Sequence, residues 1–88
     1  MNRTEFESKF KSNIERANII GNYPYVVVIL DDDTYIHADE YTINNGDFVT
    51  FSYNNQRIAG TWLKNVINVY NLGDWRWIKR RVNKNGIS

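Results

Sequence analysis

Tyr25-Val26-Val27-Val28-Ile29-Leu30, then Asp31-Asp32-Asp33, then Thr34-Tyr35-Ile36-His37-Ala38, is the stretch that decides the fold. The first six residues are apolar without interruption and rich in β-branched side chains. Such a run is too short for a free-standing helix and reads as a central strand buried on both faces. Three aspartates follow, and Asp tolerates the left-handed backbone of a tight turn. Thr34 to Ala38 then forms the return strand of a hairpin.

Working outward, Gly21-Asn22-Tyr23-Pro24 breaks whatever precedes the strand. Upstream, Phe6, Phe10 and Ile14 recur every four residues and predict a helix over 4–18 with one apolar stripe. Thr4-x-x-Glu7 fits a capping box, with Asn2 as the alternative cap. That stripe has to lie on something, and the sheet is the simplest cover. Downstream, Thr42-Ile43 offers a short further piece before the turn Asn44-Asn45-Gly46-Asp47. Val49, Phe51 and Tyr53 alternate on one face of the strand Phe48–Tyr53. Asn54-Asn55 turns the chain again. Arg57 to Leu63 is the next strand, with Gly60 marking a bulge or a close backbone approach. Asn65 to Tyr70 is the last. The expectation is an α+β single domain over 1–88: an N-terminal helix on a curled antiparallel meander of about five strands across 25–70. Such a sheet would form a small half-barrel of SH3- or Sm-like kind. Its expected core is Phe10, Val27, Ile29, Phe51 and Trp62. A basic aromatic segment over 74–83 closes the chain, as a helix capped by Asp74 with Trp75, Ile78 and Val82 on one face, or as a strand. The helix gives the more coherent apolar side.

The chain has 88 residues, 42% of them hydrophobic and 15% aromatic, which is enough for one small core. It contains no Cys, so neither disulfides nor thiolate zinc sites can brace it. Charges within Met1–Phe6 stand where a signal peptide needs an apolar run. The longest apolar stretch is far too short to span a bilayer. These features predict a soluble, cytoplasmic protein with no membrane partner, as a monomer or small homo-oligomer.

The net charge of +1 hides two poles. Asp31, Asp32, Asp33, Asp39, Glu40 and Asp47 occur with no Lys or Arg between them. Arg76, Lys79, Arg80, Arg81 and Lys84 crowd the last fifteen residues beside Trp75 and Trp77, against the single acid Asp74. Opposite poles steer partners or pair with each other. The acidic array, if the sheet gathers it, suits the basic cleft of a nucleic-acid-handling protein. The basic aromatic run suits a protein hot spot or single-stranded nucleic acid. Its plainer role is to close the sheet with Trp75 and neutralise the acids.

Signals for catalysis are poor. There is one histidine, His37, no cysteine, no nucleophile-elbow serine and no glycine-rich phosphate loop. The aspartate triplet with His37, Asp39 and Glu40 lacks the spacing of a calcium loop. No cofactor, metal or catalytic residue is assigned, and the expectation is a non-enzyme.

The stretches Tyr35–Tyr41, Gly46–Phe51, Ile58–Trp62 and Asn65–Val69 resemble small single-domain β proteins of phages and mobile elements in low-GC Gram-positive bacteria. The resemblance covers about the middle half of the chain and rests mostly on hairpins. It implies a protein that binds and inhibits a bacterial host protein, such as a defence nuclease, polymerase or repair enzyme. A small-barrel nucleic-acid-binding protein that uses the C-terminal segment is the alternative.

Overall fold

The computed structural model describes residues 1–20 and 25–77, with the backbone alone for 18–20. The break at 21–24 and the tail beyond Trp77, with Ile78, Lys79, Arg80, Arg81, Val82 and Lys84, lie outside the described residues.

Helix α1 runs Arg3–Ile20. Asn2, not Thr4, caps it: its side-chain oxygen accepts the Glu5 N–H at 2.8 Å. Strand β1 (Val26–Leu30) is the centre of an antiparallel sheet flanked by β2 (Tyr35–Ala38) and β6 (Val66–Asn71). A second antiparallel sheet holds β3 (Glu40–Asn44), β4 (Phe48–Tyr53) and β5 (Gln56–Trp62), with β4 in the middle. A single 3-10 turn, Leu63–Asn65, joins β5 to β6. Residues 72–77 form a short helix. The α+β class holds.

The continuous run in β1 has the meaning its sequence suggests, since Val26, Val27 and Val28 are all fully buried. Val26 and Val28 face the main core with Phe6, Phe10, Val49, Phe51 and Val69. Val27 pairs with His37 on one side and Tyr70 on the other, so it belongs to the opposite face. The turns follow the side chains that permit them. Asp33, Gly46, Asp47, Asn54 and Asn55 all take positive φ. Asp32 secures the first turn by accepting the Thr34 N–H at 3.1 Å and the Thr34 hydroxyl.

Three expectations need correction. There are six strands rather than about five, because the piece at Thr42-Ile43 extends to Glu40–Asn44 and pairs along β4. They form two three-stranded sheets and no closed barrel. Only Asp39 separates β2 from β3, and there the chain leaves one sheet for the other. The meander also breaks at the 3-10 turn, which sends β6 across to β1 instead of back along β5. Finally, Trp62 is 47% exposed, Ile29 is only half-buried and Val27 is buried on the other face of β1, apart from Phe10 and Phe51, while Phe6 takes the central place at 0%. Trp62 pairs with Phe48, one residue out of step with the core-facing Val49 and Phe51, so it stands on the outer side. There the Phe48 and Trp62 rings meet edge-on at 4.9 Å. Gly60 makes the room: a Cβ on it would lie 2.9 Å from the Phe48 ring. The bulge falls nearby, between Phe51 and Ser52.

Candidate binding face

Strand alternation puts Tyr35 and His37 on the same side of β2, the side of β1 that carries Val27. Tyr25, just ahead of β1, stacks on His37 at 5.2 Å, and His37 stacks on Tyr35 at 5.5 Å. Tyr53, at the end of β4, meets Tyr25 edge-on at 5.6 Å. The 72–77 helix completes this layer. Trp75 lies 5.3 Å from the Tyr35 ring and 6.3 Å from Tyr70 on β6. It therefore reaches strands on both sides of β1, which explains how Val27 comes to be fully buried.

The ring ridge Tyr25–His37–Tyr35 divides two shallow troughs. One, about 430 Å³, is completed by Ile36, Tyr53, Ile58 and Ala59. The other, about 180 Å³, is completed by Leu72, Trp75 and Arg76. Tyr35 is 45% exposed and Ile58 47%, so the face is apolar and open to solvent. Its two ends differ in charge. The exposed Asp31–Asp33 turn precedes Tyr35, while Arg76 lies at the Tyr25 end. Burial raises the Tyr25 phenol above its usual pKa, the nearby Tyr53 adds to this, and Arg76 opposes it. Tyr25 is therefore a neutral hydroxyl at ordinary pH, able to donate or accept a hydrogen bond.

Asn71 sets the 72–77 helix in place. Its side-chain oxygen accepts the Asp74 N–H at 2.9 Å, and its amide donates to Asp74 Oδ2 at 2.8 Å and to Asn13 Oδ1 at 3.1 Å. Asn71, not Asp74, is thus the cap, and Asp74 also faces Arg16 at 3.8 Å. Residues 72–77 are helical, and the rest of the 74–83 segment lies outside the described residues.

The six acids expected to act together are divided. The Asp31 N–H donates to the Asn65 carbonyl at 2.9 Å, and the Asp47 carbonyl accepts from Leu63 N–H at 2.8 Å. Asp31, Asp32, Asp33 and Asp47 therefore flank the 3-10 turn, beside the exposed Lys64. Asp39 and Glu40 lie at the other end of β2, where Asp39 Oδ2 accepts the Asn54 N–H at 3.0 Å. There, with Lys11 and Glu15, they rim a groove of about 380 Å³ lined by Phe10, Ile14 and Tyr41. Among the described residues, no three His, Asp or Glu side chains converge closely enough to hold a metal ion.

Of the basic aromatic run, Trp75 is built into the ring layer, Arg76 lines the smaller trough and Trp77 is exposed. Lys79, Arg80 and Arg81 lie outside the described residues. The sequence reading did not identify Tyr25, Tyr35, Tyr53 and Tyr70 as one surface. The Tyr35/His37 spacing of two was the available signal; the approach of β4, β6 and the 72–77 helix was not readable locally. Among the described residues no helix is long and apolar enough to cross a membrane. No family model matches the chain, and neither does any curated protein or solved structure.

Proposed function

We propose that this chain is a non-enzymatic protein-binding module whose interface is the ring-lined face. The observation that supports it is the concentration of Tyr25, Tyr35, His37, Tyr53, Ile58, Trp75 and Arg76 around two adjoining troughs. Tyr, Trp and Arg dominate protein hot spots because they bury large rigid surfaces while keeping a polar handle. The charge at the two ends argues for a protein over a phosphate backbone. A continuous polyanion would gain from Arg76 but would be repelled at the Asp31–Asp33 turn. A protein segment can carry opposite charges at its two ends.

The proposed partner class is a bacterial protein, with nucleic-acid-handling and defence enzymes as the kinds the sequence suggests. The division of the acids removes one argument for a single broad basic cleft. Capture from a bacterial lysate, identification by mass spectrometry and calorimetry with the purified partner test the reading. Tyr35→Ala should weaken the complex about 30-fold, the scale of a hot-spot truncation. Asp39→Lys with Glu40→Lys should change it little. The opposite ranking would move the interface to the α1–β3 groove.

One observation favours a second reading, binding of single-stranded nucleic acid. Arg76 adjoins exposed Trp77, and Lys79, Arg80 and Arg81 follow in the sequence. Such binding would weaken steeply with added salt and would be lost on charge reversal of Arg80 and Arg81.

A further inference from the structure

The shape of the ring-lined face selects the backbone conformation of what it binds. Tyr25, His37 and Tyr35 stack in steps of 5.2 and 5.5 Å and stand as a ridge between the two troughs. An α-helix is a cylinder about 10–12 Å across with its side chains, and the ridge leaves it no single groove to lie in. An added β-strand needs a sheet edge, and these rings stand on a face. Two shallow troughs walled by flat rings suit a narrow extended segment that sets side chains on both sides of the ridge. A polyproline II segment has that form: with three residues per turn, two of its three rows of side chains straddle a ridge while the third points to water. One such turn is about 9 Å long, comparable with the two stacking steps of the ridge. Proline rings are flat-sided and apolar, and pack on the faces of Tyr and Trp. The polyproline helix has no internal hydrogen bonds, so its carbonyls accept from phenol and indole donors such as Tyr25 and Trp75. It is also largely ordered before it binds, which lets a small open face hold it at low ordering cost.

We propose that the occupant of this face is a proline-rich segment of the partner protein, in polyproline II conformation, with a basic residue at its Tyr35 end. The inference rests on the reading of the ring-lined face as the interface, and names what that face recognises. Charge complementarity sets the polarity. Asp31, Asp32 and Asp33 are exposed just ahead of Tyr35, whereas Arg76 lines the smaller trough with Tyr25. An Arg or Lys flanking the prolines therefore meets the aspartates, and an acid or a bare carbonyl of the segment meets Arg76. The troughs differ in what they hold. The larger, about 430 Å³ and walled by Tyr53, Ile58 and Ala59, takes the bulkier side chains of the segment. The smaller, about 180 Å³ and walled by Leu72 and Trp75, takes a single proline ring.

Amide NMR titration of the whole chain tests it, with melting curves to verify that each variant is folded. The probe is decaproline carrying an arginine at one end, and the control is a glycine–serine peptide of equal length with the same arginine. The proline probe should shift the signals of Tyr35–His37, Tyr53 and Trp75, and should bind at least about tenfold tighter than the control. Tyr35→Ala should weaken it about tenfold. Asp31→Asn with Asp33→Asn should weaken it about threefold and leave decaproline without the arginine unchanged. Asn tolerates the positive φ of Asp33, so that turn is kept. Equal binding of the two peptides, or shifts that miss the ring-bearing residues, would overturn the proposal. An arginine preference that survives the double Asn variant would overturn its polarity. The proposal and the reading beneath it fail separately. A proline probe that does not bind, while the captured partner still protects Tyr35–His37 from hydrogen exchange, removes the segment and keeps the face. A partner that protects only α1 and Glu40–Ile43 removes the face.

Discussion

Among the described residues, Asn71 is a buried polar side chain that connects the core to the candidate face. It is only 1% exposed and bonds to both Asn13 on α1 and Asp74 on the 72–77 helix. Asn71→Ala would leave these partners with unmet polar groups, which costs about 1–3 kcal/mol. Thermal melting should show that loss, and near-UV circular dichroism should show Trp75 loosened from Tyr35 and Tyr70. Asp32 gives a second test at this scale. The Thr34 hydroxyl, and then the Thr34 N–H, hold its carboxyl below the usual value. A lowered folded pKa means that the stability it contributes is complete above the ordinary aspartate range. It is lost as pH falls through the lowered value. Thr34→Val should raise the Asp32 midpoint toward normal in a carboxyl NMR titration and remove that part of the acid-side stability. Asn54 and Asn55 show why the turns could be read from the sequence. Both take positive φ, at 52° and 66°, and Asn is among the few side chains that tolerate it.

At the scale of elements, β1 was readable because an unbroken apolar run needs cover on both faces, and the structure provides it. Strand β5 shows where local reading stops. Its residues do not reveal which parity faces inward, since that depends on its register with β4 across the bulge at Phe51/Ser52. The one-residue difference turned Trp62 outward and left Phe6 to fill the centre. Phe51, at 0% exposure, should therefore be far more sensitive than Trp62. Phe51→Ala should cost about 3–5 kcal/mol, enough to unfold much of a small domain. Trp62→Ala should cost clearly less in the same denaturant titration. Equal losses would mean that Trp62 is a core residue after all. The strand count went astray at Asp39, a single-residue break between β2 and β3 with no glycine or proline to announce it.

For the whole molecule, the sequence carried its two charged poles openly, but space does not keep them as two. The acids separate to opposite ends of β2, four around the 3-10 turn and two beside α1. The rings of Tyr25, Tyr35, His37, Tyr53, Tyr70 and Trp75 gather into one layer instead. Long-range pairing does this: β6 returning to β1 brings Tyr70 and the 72–77 helix over a face that the hairpin alone would leave open. A candidate site assembled from β1, β2, β4 and the 72–77 helix leaves little trace in any one segment. The central claim is that this layer is where a protein partner docks. Hydrogen exchange of the backbone amides, compared between the free chain and its complex with the captured partner, tests it most directly. The account predicts new protection at Tyr35–His37, Tyr53 and residues 75–77, with α1 and Glu40–Ile43 unchanged. Protection confined to α1 and Glu40–Ile43, with the ring-bearing segments exchanging as in the free chain, would contradict it.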